Sequence, residues 1–165
     1  MTEKQYRKAD SKVLPVSLII IAGIFFNMLG MMVAQSGKMP LYITMAACII
    51  GALVNVVTYC KLKGTRRCGI VMILSTLVVC IVMIICIDTV AYYMIAMAAV
   101  VMSMAYMDMK KTIICGMLTM FAVIGKAVVM VMNGTASAIE AGTTVFILMF
   151  ILTAVFYVTK LRMLF

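Results

Sequence analysis

The chain has 165 residues and a formal net charge of +9, with 67% hydrophobic and only 12% charged residues. Soluble domains run nearer half apolar and a quarter charged, so this composition, with a mean hydropathy of +1.24, excludes an ordinary soluble domain and implies a one-domain integral membrane protein. The positive charge does not point to nucleic acid, because the basic residues sit in short clusters between apolar runs, where membrane topology puts them.

Residues 1–12 carry Glu3, Lys4, Arg7, Lys8, Asp10 and Lys12 and read as a polar, basic cytoplasmic segment. The apolar run 13–33 is too long for a signal peptide and lacks a small-residue cleavage pattern, so it reads as a retained first helix. Ser36, Gly37 and Pro40 break it, and Pro40 suits the first turn of the next helix, where an amide N–H would go unbonded anyway. Helix two covers 41–59. Its Ala47, Gly51 and Asn55 lie four residues apart and form a stripe that lets another helix approach closely.

Lys61, Lys63, Arg66 and Arg67 close this hairpin, and helix three covers 69–87. Helix four, 90–107, opens with Tyr92 and Tyr93, amphipathic rings suited to the membrane interface. Tyr92, Ala96, Ala99, Ser103 and Tyr106 share one of its faces, the pattern of a packing seam. Asp108, Lys110 and Lys111 mark the next turn, helix five covers 112–132, an outer loop 133–142 holds Glu140, and helix six covers 143–158.

Charge sets the orientation. Lys4, Arg7, Lys8, Lys12, the four basic residues of the 61–67 loop, Lys110, Lys111, Lys160 and Arg162 all fall on one side, against Lys38 alone on the other. By the positive-inside rule the fold is all-α and polytopic: six transmembrane helices in three hairpins, both termini cytoplasmic. Segments 1–12, 13–158 and 159–165 are the basic N-terminus, the membrane module and a cytoplasmic stub.

The inventory argues against catalysis and predicts no enzyme and no cofactor. There is no histidine, no G-x-S-x-G, no Walker loop and no H-E-x-x-H, and Asp88, Asp108 and Glu140 lie at helix ends. No C-x-x-C occurs among the six cysteines, so a metal site is not expected and the thiols read as small apolar residues. Twenty methionines suit gap-filling, or a cavity tolerant of varied apolar ligands. Lys126 is the only charge inside an apolar run, seven residues from Asn133 and so roughly 10 Å deep. Its ammonium either snorkels outward or faces the bundle, paired with Asp88 or Glu140 or awaiting an anionic ligand. With Tyr92, Tyr93 and Asn27 it forms the candidate ligand site.

The start Glu3-Lys4-Gln5-Tyr6-Arg7-Lys8-Ala9-Asp10 resembles the sensory part of a family of bacterial methyl-accepting chemotaxis receptors. So do Ala91-Tyr92-Tyr93 and the stretch Ala105-Tyr106-Met107-Asp108-Met109-Lys110-Lys111. The resemblance implies a six-helix membrane module of the bacterial inner membrane, without a periplasmic ligand domain and working as a homodimer or larger array among membrane lipids. It implies sensing of a small hydrophobic, anionic or membrane-borne stimulus that passes through helix six to a cytoplasmic output domain. The short stretch after helix six is then expected to continue into such a domain. The rival expectations are a substrate-binding membrane subunit of a small-solute (vitamin) uptake transporter and an assembly subunit without ligand.

Overall fold

The computed structural model describes residues 3–34, 39–87, 93–106 and 109–164, all in helices and their connecting turns. The helices are α1 (Glu3–Ala34), α2 (Met39–Leu62), α3 (Arg66–Cys86), α4 (Tyr93–Ser103), α5 (Met109–Met132) and α6 (Ala138–Leu164), with a single 3₁₀ turn, Met104–Tyr106, extending α4. Five of them, all but α4, are long and apolar enough to cross a membrane. The chain is an all-helical, multi-pass membrane protein. The described part of helix four, 93–106, is roughly 22 Å long, and the remainder of the expected 90–107 lies outside the described residues.

α1 begins ten residues before the apolar run. The inward face explains this: Ala9, Val13, Ser17, Ile21, Ile24 and Met28 recur every three or four residues and are all buried, so one helical stripe runs unbroken from the basic segment into the apolar one. α6 also begins earlier than its apolar run, because Ser137 and Glu140 form a capping box. The Ser137 hydroxyl accepts from the Glu140 N–H, and the Glu140 carboxylate accepts from the Ser137 N–H, both at 3.2 Å. Just upstream, α5 ends in a Schellman motif: Gly134 adopts φ +69°, its N–H reaches the Val131 carbonyl, and the Thr135 N–H reaches that of Met130.

α3 is the centre of the bundle, packed by α1, α2, α4 and α5, whereas α6 rests chiefly on α5 with a smaller contact to α4. Burial follows: 56% of the most apolar stretch of α3 is buried inside the protein, against 17% for α6. The small-residue stripe of α2 is spent within the chain. Gly51 lies against Val79 of α3, where an added methyl would sit 2.5 Å from the valine side chain, and its carbonyl accepts from the Ser75 hydroxyl at 3.2 Å. The large apolar residues left exposed, among them Leu53, Phe121, Phe146 and Phe150, sit on the outer faces of these apolar helices.

Tyr106 meets Gly69 near the start of α3, so α4 and its 3₁₀ turn run antiparallel to α3. α5 returns in the direction of α3: Lys126, late in α5, reaches Ile85 near the end of α3. Ser103 and Thr112 tie α4 to the start of α5 through a hydroxyl contact of 2.9 Å.

Candidate functional site

Polar links hold the helices in register: a buried one at the basic end, a buried one deeper in the bundle, and a more exposed one at the opposite end. Asp10 is completely buried. One carboxylate oxygen accepts from the Gly64 N–H and the other from the Tyr106 hydroxyl, each at 2.8 Å, so one side chain joins α1, the α2–α3 turn and the end of α4. Two glycines make this geometry available. Gly64 takes φ +88°, which turns its N–H toward the carboxylate at little steric cost, and Thr65 beyond it caps α3. Gly69 lacks the side chain that would otherwise occupy the space of the Tyr106 ring. The Lys111 ammonium stands 5.7 Å from the centre of that ring, which brings the first turn of α5 to the same point.

The second link lies deeper and connects α1, α2 and α3. Asn55 donates to Ser17 and, at 3.3 Å, to Thr76; the Ser17 and Thr76 hydroxyls are 3.0 Å apart; and Thr76 donates to the Met72 carbonyl at 2.9 Å. Each hydroxyl has one proton, so the chain has a single direction: amide to Ser17, Ser17 to Thr76, Thr76 to backbone. Asn55 Oδ1 is the one buried side-chain oxygen or nitrogen among the described residues without a partner.

The third link is at the opposite end. Lys126 is half-buried and its ammonium donates to the Ile85 carbonyl at 2.7 Å. Ile85 is in the last turn of α3, where carbonyls lack intrahelical partners and the helix dipole favours a cation. Lys126 therefore reaches the neighbouring α3 near the bundle surface. Glu140, one of its two expected partners, is instead committed to the cap of α6. Asp88, the other, lies outside the described residues, as do Tyr92 and the Tyr93 side chain. Asn27 is on an exposed face of α1. Of the four expected ligand-site residues, the side chains of Lys126 and Asn27 are the two described.

No family model, no curated protein and no solved structure matches the chain. Its chemistry is therefore read from the geometry itself.

All six cysteines are free thiols. Cys48, Cys68, Cys80 and Cys115 are buried, and Cys68 points at the Thr58 carbonyl while Cys60 is exposed. Among the described residues no three of His, Cys, Asp and Glu gather as metal ligands. What the arrangement does is mechanical: it fastens α1 to α2 and α3 by directional bonds and leaves α6 attached by apolar contacts. Gly116 of α5 lets α6 come close, since an added methyl there would sit 2.6 Å from Leu152 and 3.1 Å from Phe156.

Sequence reasoning missed Asp10 as a structural group because it reads as one charge in a polar tail. The available signal was its place beside the stripe of Ala9, Val13 and Ser17. Its partners, 54 and 96 residues away, leave no local trace.

Proposed function

We propose that the chain is the membrane sensory module of a bacterial chemotaxis-type receptor, resident in the cell's inner membrane and acting as a homodimer or larger array. The observation that carries this reading is the contrast between a polar-fastened base, α1 to α3, and α6, a continuous 27-residue helix with little buried surface. A signal needs two packings of similar energy and a stimulus that favours one. A helix held mainly by apolar contacts on one neighbour is the element able to change packing without breaking buried hydrogen bonds.

Six crossings with both ends on the basic side belong to the same proposal. The antiparallel run of α4 against α3, and the return of α5, support them. The stimulus is a small hydrophobic or anionic molecule, or a change in the bilayer, acting at the end that holds Lys126 and Asn27, where the sequence also places Tyr92 and Tyr93. It alters packing there, and α6 shifts on α5 by a small amount and carries the change to the basic side.

The test joins residue 165 in frame to the cytoplasmic hairpin of a chemotaxis receptor and follows kinase output as lipophilic compounds are added. The expected result is an output that changes with the stimulus, and that Gly116→Leu, by forcing α6 away from α5, fixes at one extreme. A constant output in the hybrid, together with retention of a labelled vitamin by the reconstituted chain, would replace this reading with that of a solute-uptake subunit.

A further inference from the structure

α3 and α5 run side by side in the same direction, and a groove of about 410 Å³ opens between them at the basic end. Its mouth carries Arg66 from the first turn of α3 and Lys110 and Lys111 from the first turn of α5. Its walls are apolar for the next two turns, with Ile70 and Leu74 on one side and Ile114 and Leu118 on the other. All four of these wall residues are exposed, by 40 to 58%.

We propose that this groove is a binding site for one anionic phospholipid, its phosphate held by Arg66, Lys110 and Lys111 and an acyl chain lying along Ile70, Leu74, Ile114 and Leu118. The two halves of the groove match the two halves of a phospholipid. Three cations within one turn of two neighbouring helices attract a phosphate, and basic pockets between membrane helices on this side are where anionic headgroups dock. The wall beneath them offers nothing to a soluble anion and a continuous apolar face to a hydrocarbon chain. The groove between α2 and α3, of similar volume, is lined by Ala47, Ile50, Val54 and other uncharged residues, and that between α1 and α4 carries Lys12 as its one cation. The site also sits beside the Asp10 clasp, since Lys111 stands over the Tyr106 ring, so an occupying phosphate would share that lysine with the clasp.

Native mass spectrometry of the full chain, released from nanodiscs of mixed phosphatidylglycerol and phosphatidylcholine, tests the proposal. The expected spectrum shows one retained phosphatidylglycerol in preference to phosphatidylcholine. Replacing Arg66, Lys110 and Lys111 together by Gln lowers the affinity behind that retention about a hundredfold, at roughly fivefold per basic residue. The equal-charge control, Lys61, Lys63 and Arg67 to Gln, leaves it intact. Ile114→Trp, which fills the groove and keeps every charge, also removes the lipid. Equal loss from both charge triples would reduce the effect to general attraction of a basic face and overturn the site. Unchanged retention in Ile114→Trp, or competition by inorganic phosphate at millimolar concentration, would overturn the acyl-chain half and with it the lipid assignment.

Discussion

Tyr106→Phe removes a single oxygen and leaves the ring in place against Gly69 and beneath Lys111. Asp10 then keeps its bond from the Gly64 N–H but loses the Tyr106 donor, in a position with 0% exposure where water has no access to replace it. A buried acceptor left without its partner costs about 1–3 kcal/mol, so the substitution is expected to destabilise the protein by about 2 kcal/mol. The assay is reversible unfolding of the full chain in mixed micelles with increasing SDS, followed by far-ultraviolet circular dichroism. A double-mutant cycle makes it specific: on an Asp10→Ala background the same change should be nearly neutral, because the hydroxyl no longer has a carboxylate to serve. A loss below about 0.5 kcal/mol, or an equal loss on both backgrounds, would refute the clasp as an energetic link and leave only the packing of the ring.

Asn55→Ala should cost about 1 kcal/mol in the same assay, the range of interhelical hydrogen bonds in membranes, and Ser17→Ala added to it should cost little more. Lys126→Met should lose about 0.5–1 kcal/mol by uncapping α3, with Lys126→Arg close to wild type; indifference to both would mean that the ammonium does not serve Ile85. Ser137→Ala should cost about 1 kcal/mol and speed hydrogen exchange at the first amides of α6, whereas unchanged exchange there would contradict the capping box.

The helices were legible wherever hydrophobicity alone decides them. Runs of apolar residues interrupted by Lys61 to Arg67 and by Asn133-Gly134 located α2, α3 and α5 to within a few residues, because no other structure satisfies the backbone in lipid. Helix ends were less legible where a polar residue continues the helix. The Ser137-Ala138-Ile139-Glu140 signature was present in the sequence, yet low local hydropathy made it read as loop. The seam through Ala99, Ser103 and Tyr106 was also legible, and all three are buried. What spacing does not reveal is which polar group meets which. Asp10 finds Tyr106 across 96 residues, and Lys126 finds a carbonyl, an acceptor every residue possesses and no sequence pattern marks.

The Asp10 clasp is assembled from parts that leave the ribosome at different times. Asp10 and Gly64 are both made by the time α2 and its turn are complete, but Tyr106 follows 42 residues later. At about 5–20 residues per second this is a delay of roughly 2–8 s. During it, one carboxylate oxygen of the nascent three-helix unit has its final donor and the other does not. Asp10 therefore cannot complete both of its bonds until α4 has been made.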